Sequence, residues 1–429
     1  MITRIVKPST TEVSIVERIR KDAVSFRDLS DLDHVIQAVG DARIVLLGEA
    51  THGTSEFYSI RAELSKRLIA EKGFQFIAVE GDWPSCYEVN RYIKNLDGNT
   101  AETAADALQA FNRWPSWMWA NKGIETFAEW LRHYNAEQAE GGKIGFYGLD
   151  MYSLWDSIQQ VIGYLQRTGS PVLDTALQAF SCLEPYGDDA QSYGISAGLL
   201  GEGCEEEVIH LLNELNASKH EHLQDEGELD AKVNAMVTLH AEQYYRTMVR
   251  GGPESWNIRD YHMADALRQV LDYHGSASKA IIWEHNTHIG DARATDMQQA
   301  GMINIGQLVR EQYGRGNVFS IGFGTHHGTV IAGSAWGAPA EVMRVPEART
   351  HSWEDMMFQA GQGSDQILMM NPERQAEFNQ TLGHRAIGVV YDPRHESGNY
   401  VPSQMAERYD AFIYVHETHA LEPLSVEGT

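Results

Sequence analysis

Cysteines and long apolar runs are both scarce in this chain, and their scarcity narrows what the protein can be. Three cysteines occur among 429 residues, Cys86, Cys182 and Cys204, and they form no C-x-x-C pair. This pattern argues against a disulfide framework or a cysteine zinc site, so we expect three reduced thiols. No stretch approaches the roughly 18 consecutive apolar residues of a membrane span. Residues 1–8 carry no apolar signal-peptide core, and a cytoplasmic location is therefore expected.

The motifs of several enzyme classes are missing as well. No G-x-S-x-G follows a predicted strand, there is no Walker loop, and Gly322-Phe323-Gly324 lacks the third glycine of a dinucleotide fingerprint. Positive charge is also short, since 34 basic against 60 acidic residues give a net charge of -26. Such a chain repels phosphate backbones and anionic lipids. We expect a small molecule as partner, with no nucleic acid and no membrane, and the oligomeric state is left open.

The chain does have short apolar runs that predict buried strands. A helix is predicted over 55–71, ended by Gly73, between strands at 43–47 and 75–80, and so short a crossover implies parallel pairing. Further strands are predicted at 143–148, 279–283, 317–322, 385–391 and 411–416.

Residues 153–276 show helical periodicity and almost no strand signal, which predicts a helical insertion. The expected fold class is α/β: a mostly parallel sheet flanked by helices, with a helical insertion and a smaller C-terminal α/β portion. The predicted parts are a first part of the core at 1–152, the helical insertion at 153–276, a return to the core sheet at 277–325 and the C-terminal portion at 326–429.

Acidic and histidine residues follow several of these predicted strands. Glu49 and His52 follow the first strand, Glu80 the second, and His285 and His288 the strand at 279–283. Ligands of open α/β sheets bind at the carboxyl ends of the strands. We therefore expect segments more than 200 residues apart to share one cleft, as in an enzyme.

Each of these groups has a chemical interpretation and a plainer one. His52 is expected to act as a general base, with Glu49 holding its ring in one tautomer, although a loop histidine could instead cap the following helix. Glu80 is interpreted as a second acid or an orienting partner, or else as half of a buried ion pair. His285 and His288 could protonate a leaving group, stabilise an oxyanion or bind a metal, and one of them could be structural.

Two arginines and a group of tryptophans complete the candidate site. Arg61, two turns into the helix, could reach the cleft or remain a solvated helix residue. Arg259 could turn into the cleft, while Asn257 or Asp260 caps a helix. The tryptophans could bind substrate or pack in the core; they are Trp83, Trp114, Trp117 and Trp119. Asp150 and the histidines within 325–328 also come after predicted strands and are weaker candidates.

Several segments together resemble the erythromycin esterase-like family, in its broad environmental branch. They are Leu47-Gly48-Glu49-Ala50-Thr51-His52-Gly53, Ala78-Val79-Glu80, Asn257-Ile258-Arg259-Asp260 and His285-Asn286-Thr287-His288. The match is collinear over nearly the whole chain. It implies an α/β core and metal-independent hydrolysis of a macrolide lactone ester, which inactivates the antibiotic. It also implies that His52 activates water with the support of Glu49, Glu80, Arg61, His285 and His288.

Three hypotheses of function follow. The first is a carboxylic ester hydrolase in which His52, oriented by Glu49, activates water without a cofactor. The second is a hydrolase whose divalent metal is held by Glu49, His52, His285 and His288. The third is a non-catalytic binder of a bulky apolar small molecule.

Overall fold

The computed structural model contains one large mixed sheet and a small antiparallel one. It describes residues 10–187, 189–201, 203–217, 225–370 and 378–426. The strands are β1 (Val24–Ser25), β2 (Ile44–Leu47), β3 (Phe76–Asp82), β4 (Gly145–Asp150), β5 (Ala280–Trp283), β6 (Val318–Gly333), β7 (Ala340–Val345), β8 (Gln366–Met369), β9 (Thr381–Arg385), β10 (Tyr400–Gln404) and β11 (Ala411–Thr418). The large sheet has the order β1-β8-β11-β6-β2-β5-β3-β4, with β7 paired to β6, and β9 pairs with β10.

Helices cover both faces of the large sheet. They are α1 (Thr10–Asp22), α2 (Asp33–Val39), α3 (Ser55–Lys72), α4 (Trp83–Lys94), α5 (Ala104–Leu108), α6 (Lys122–Ala136), α7 (Leu154–Thr168), α8 (Leu173–Leu183), α9 (Ala190–Ile195), α10 (Glu205–Ala217), α11 (Glu226–Met248), α12 (Glu254–His274), α13 (Asn286–Ile289), α14 (Ile305–Tyr313), α15 (Trp353–Gly361) and α16 (Met405–Arg408). None of the described helices is long and apolar enough to cross a bilayer.

The central strands are apolar on both faces. Leu47 and Trp283 pack in the core on the side of α3 and α6. Leu46 and Ile282, one residue earlier on each strand, pack in the core on the side of α12 and α14. Burial on two sides explains why these strands read as continuous apolar runs rather than as an alternating pattern.

Four parallel strands lie side by side in the order β2-β5-β3-β4. Trp283 is opposite both Leu47 and Val79, and Val79 is also opposite Gly148. The residues that follow these strands therefore emerge together at one edge of the sheet. This arrangement confirms the predicted fold class.

The helical insertion has a core of its own and a disulfide bond that the sequence did not suggest. Ile158, Val161 and Leu211 pack inside it. Cys182 and Cys204 are bonded, with their Cα atoms 5.8 Å apart. The expectation of three reduced thiols is therefore wrong: packing of α8 against α10 brings together two cysteines that are 22 residues apart. Cys86 is free and buried.

The predicted strand at 385–391 is wrong. The strand β9 ends at Arg385, and the residues after it make only isolated bridges, at Ile387 and Val390. The structure also has a strand that was not predicted, β8, which runs antiparallel to β11. Both β8 and β11 belong to the large sheet, and the division of the chain into domains stays a prediction.

Candidate active site

Side chains from the four neighbouring parallel strands β2, β5, β3 and β4, or from the residues just after them, meet at the carboxyl edge of the sheet. Glu49 and His52 lie just after β2, and Glu80 and Asp150 lie in the last parts of β3 and β4. His285 follows β5, and its ring centre is 4.8 Å from that of His52. Segments that are distant in sequence thus converge here, as the pattern of strand ends predicts.

Glu49 joins His52 to Arg61. His52 Nδ1 lies 2.8 Å from Glu49 Oε1, and Arg61 Nη2 donates to Glu49 Oε2 at 2.5 Å. Arg61 is fully buried between the rings of Tyr58 and Trp283. It therefore fixes the carboxylate from behind, and the expectation that it remains a solvated helix residue is wrong.

His52 does not cap the following helix. The N-cap of α3 is Thr54, which makes no side-chain capping bond. Nδ1 of His52 is instead hydrogen-bonded to the Glu49 carboxylate. The plainer interpretation of this loop histidine is therefore wrong.

The hydrogen-bond contacts of His52 and His285 favour opposite tautomers for the two rings. A neutral His52 donates from Nδ1 to the Glu49 carboxylate, which leaves a lone pair on Nε2. His285 Nδ1 lies 2.8 Å from Thr287 Oγ1 and accepts from the Thr287 backbone N–H at 3.3 Å. An Nδ1 that accepts from both groups of Thr287 leaves the ring proton on Nε2. That Nε2 is buried and has no hydrogen-bond partner among the described residues. One ring can accept a proton, and its neighbour can donate a hydrogen bond.

The surroundings also shift the pKa values of the two histidines in opposite directions. Burial favours the neutral form of His52, but the charges of Glu80 and Glu49 and the hydrogen bond to Glu49 outweigh it and raise its pKa above 6.5. Burial, together with the charge of His52, lowers the pKa of His285 well below that value. Paired groups whose environments separate their pKa values are typical of an acid–base site.

A second network surrounds His288. Its Nδ1 lies 3.0 Å from Asp260 Oδ1, and its Nε2 accepts from Arg259 Nη1 at 3.0 Å. Its ring stacks on Trp256, with ring centres 4.5 Å apart. Arg259 also donates two bonds to the carboxylate of Asp150, at 2.9 and 2.6 Å. Both nitrogens of His288 are therefore engaged, whereas Nε2 of His285 has no hydrogen-bond partner among the described residues.

Glu80 connects the two networks. Its Oε1 accepts from Arg259 Nη2 at 2.8 Å and its Oε2 accepts from the backbone N–H of His285 at the same distance. Burial by itself would raise the pKa of this carboxyl, but the charges of His288, His52 and Arg259 hold it well below its usual range. Glu80 is therefore an anion that orients the backbone of one histidine and the cation beside the other.

The tryptophans divide into two groups. The structure places Trp83, Trp117 and Trp119 in the hydrophobic core. The indole N–H of Trp83 donates to Asp230, and that of Trp119 donates to the Glu80 carbonyl. These placements correct the expectation that the three bind substrate, because they pack against helices and strands. Trp114 is half-buried against Trp336, a residue that is 70% exposed, and it keeps its predicted role as a candidate.

Sequence reasoning missed several members of the site. Asp150 was a weak candidate and Asp260 a helix cap, but α12 begins at Glu254, so Asp260 lies inside it and faces His288. Asn257 also lies inside α12, where it bonds to Gly301 and Ile303. The available signal was the position of Asp150 at a strand end, like that of Glu80.

Glu284 is a further buried acid beside the two networks. It is fully buried, and neither carboxylate oxygen has a hydrogen-bond partner among the described residues. Burial, with the nearby charges of Glu80 and Asp260, raises its pKa well above the usual value. Its environment therefore favours the neutral, protonated form of this carboxyl over the carboxylate.

The glycines of the first loop permit close packing. A Cβ on Gly48 would lie 2.2 Å from Asn286 Oδ1, and one on Gly53 would lie 1.9 Å from the Ile331 carbonyl oxygen. Neither glycine has a positive φ. Close approach of α13 and β6 therefore explains both glycines.

Gly194-Ile195-Ser196-Ala197-Gly198 has the letters of a serine-hydrolase motif but not its structure. Ile195 ends α9, and Ser196 begins a short π-helix, where its hydroxyl accepts from Tyr186. A nucleophile elbow requires a strand followed by a sharp turn into a helix. The segment is therefore no nucleophile elbow.

Comparison with known proteins adds a family to this geometry. The family model for erythromycin esterase matches residues 69–418. The chain belongs to the erythromycin esterase family. The family name indicates a hydrolase of the ester type. Glu49, His52 and Arg61 precede the matched segment, so their assignment rests on the contacts described above.

Individual relatives are distant in sequence. Erythromycin esterase type II of Escherichia coli is 24% identical over 335 residues, which cover 70% of this chain and 73% of that protein. A crystal structure of a succinoglycan biosynthesis protein superimposes with a TM-score of 0.79 at 21% identity, covering 97% of this chain and 100% of that one. A mutant of erythromycin esterase EreC in its open conformation gives a TM-score of 0.65 at 18% identity, covering 92% and 95%. At such identities the solved structures show the fold alone.

Proposed function

We propose that this member of the family hydrolyses a carboxylic ester of the macrolide-lactone type, using a water molecule that His52 activates. The observation that carries the proposal is the pair of adjacent rings with opposite tautomers, His52 with a free Nε2 lone pair and His285 with a free Nε2–H. Acyl transfer to water needs one group of each kind.

The reaction proceeds by addition and elimination at the ester carbonyl. A water molecule gives a proton to His52 Nε2 while its oxygen bonds to the carbonyl carbon. The oxygen that becomes negative accepts a hydrogen bond from His285 Nε2–H. The intermediate then breaks the bond to the alkoxide, which takes the proton back from His52, so the products are an acid and an alcohol.

The other residues of the site act through these two rings. Glu49 stabilises the protonated form of His52, and Arg61 holds Glu49 in place. Glu80 fixes the backbone of His285 and shares Arg259 with Asp150. His288, held by Asp260 and Arg259, is a positioning residue in this scheme.

The test is incubation of a macrolide and a panel of simpler esters with the purified protein, read by mass spectrometry. A gain of one water is expected, and His52→Asn should lose about 10²–10⁴-fold in turnover, the usual contribution of a general base. The matched control is His133→Asn, because His133 is an exposed histidine on α6. Wild-type turnover by His52→Asn on every accepted ester would end the proposal.

The geometry favours this mechanism over a metal centre at the same residues. Glu49 already pairs with His52 and Arg61, and both nitrogens of His288 are engaged. Among the described residues, three histidine, cysteine or carboxylate ligands whose atoms lie within 4.8 Å of one another occur elsewhere, at His326, His327 and His416. Metal analysis combined with chelation of the wild-type protein tests the alternative.

A non-catalytic binder is the remaining alternative, and the same mass spectrometry would show it as ligand retained at unchanged mass.

The cytoplasmic location stays a prediction. The disulfide between Cys182 and Cys204 argues against it, because disulfides are rare in reducing compartments.

A further inference from the structure

Three histidines collect at a place in the fold that the proposed reaction does not use. The residues 325–328, expected after a strand, instead lie inside β6, which pairs in parallel with β11. Val415 is opposite Thr325 and Glu417 is opposite His327, which brings His416 beside His326. One ligand atom from each of His326, His327 and His416 lies within 4.8 Å of the others.

The rings are held in this arrangement by aromatic packing and by an arginine. His326 stacks on Phe358 of α15 with ring centres 4.2 Å apart, and His416 stacks on the same ring at 5.5 Å. Arg385 Nη1 donates to the carbonyl oxygens of Thr325 and His326 at 2.8 and 2.9 Å. The backbone that carries two of the histidines is therefore fixed before any ligand binds.

One pair of ring nitrogens has the spacing of two ligands on a tetrahedral metal ion, and all three ligand atoms lie within 4.8 Å of one another. The Nδ1 atoms of His326 and His327 are 3.2 Å apart. With Zn–N bonds of about 2.0–2.1 Å, two ligands of a tetrahedral zinc lie roughly 3.3–3.4 Å apart. Two imidazoles can share a hydrogen bond at this distance, but a third imidazole beside them gives a set that zinc, copper, nickel and cobalt prefer.

A carboxylate stands where an outer partner of such a site is expected. Glu417 Oε1 lies 4.0 Å from His327 Nε2, on the side of the ring away from the Nδ1 that faces His326. Metal-binding histidines usually donate their second ring N–H to a carboxylate or carbonyl. The side chain of His327 is one-third exposed, so an ion can enter from solvent.

We propose that His326, His327 and His416 bind a divalent transition-metal ion, with zinc as the best match to three imidazoles. The site leaves one coordination position for water or a further ligand. In this proposal the Glu417 carboxylate, 4.0 Å from His327 Nε2 and 60% exposed, moves to hydrogen-bond distance of that nitrogen when the ion binds. The site is distinct from the hydrolytic cluster, whose histidines are His52, His285 and His288.

The test measures binding of Zn²⁺ alone to the full chain, purified without a histidine tag and freed of metal by a chelator. Calorimetry is expected to show about one tight site per chain. Co²⁺ should give the visible absorption of a tetrahedral ion at the same stoichiometry. His327→Ala and His416→Ala should each weaken binding by more than about 100-fold, and Glu417→Gln by about 10–100-fold.

Two control variants locate the ion. His395→Ala removes a side chain that is 82% exposed and belongs to neither site, and it should bind Zn²⁺ like the wild type. His52→Asn should also bind normally if the ion sits at the new site. Loss of binding in His52→Asn with retention in His327→Ala would assign the ion to the hydrolytic cluster and overturn the proposal. Absence of a tight site in the wild type would overturn it too, and would leave a hydrogen-bonded histidine cluster.

Discussion

The contact between Glu49 and Arg61 gives the sharpest prediction about this protein, because it couples stability to catalysis. Both side chains are buried, and their closest atoms are 2.5 Å apart. Arg61 Nε and Nη1 have no hydrogen-bond partner among the described residues, so Glu49 is the carboxylate on which this cation depends. Glu49→Gln leaves the cation buried and uncompensated, at a cost of about 3–5 kcal/mol in the free energy of unfolding.

The reverse substitution should cost less. In Arg61→Met, Glu49 keeps His52 as a partner, and protonation of the ring neutralises the carboxylate. The methionine also retains contact with the rings of Tyr58 and Trp283. In Glu49→Gln/Arg61→Met no buried charge is left over, so the double variant should lose clearly less stability than the sum of the single variants.

The two single variants should shift the pH dependence of catalysis in opposite directions. Glu49→Gln removes a group that raises the pKa of His52, so the acid limb of kcat/KM should move to lower pH while kcat falls about 10²–10⁴-fold. Arg61→Met leaves Glu49 free to stabilise protonated His52, so the acid limb should move to higher pH. Guanidinium unfolding and pH–rate profiles on one accepted ester measure both effects. Additive stability losses, or an unmoved acid limb in both variants, would refute the reasoning.

Three further predictions follow from the same structure. The pKa of His52 is raised, so the acid limb of wild-type kcat/KM should lie above pH 6.5. Glu80→Gln should move this limb to lower pH, because the Glu80 charge is one cause of the raised pKa. An acid limb at or below pH 6.5 in the wild type would contradict this. His285→Gln should lower kcat by about 10²–10³-fold with little change in KM, as expected for loss of an oxyanion donor, and a change confined to KM would contradict that role. Cys204→Ser should lower the free energy of unfolding by about 3 kcal/mol, the value expected for a disulfide that closes a loop of 22 residues. It should also abolish the loss of stability that a reductant causes in the wild type, whereas Cys86→Ser should leave that loss unchanged.

Much of the site could be read from strand ends, and the rest could not. Apolar runs that stop at Glu49, Glu80 and His285 indicate a shared edge, because parallel strands place their carboxyl ends together. Asp260 gave no such signal, since it lies inside a helix whose sequence does not say which strand it faces. Its role became visible only through its contact with His288.

The sequence by itself determined the mostly parallel sheet, its helical insertion and the side chains available for chemistry at the carboxyl edge. It could do so because buried strands, helices and polar loops each have a recognisable pattern of apolar and polar residues along the chain. Tertiary structure decided which groups act as partners. It paired Arg61 with Glu49, placed the rings of His52 and His285 side by side, joined Cys182 to Cys204 and gathered three histidines across β6 and β11. Each of these depends on distances between segments far apart in sequence, which only the packing of helices and strands defines.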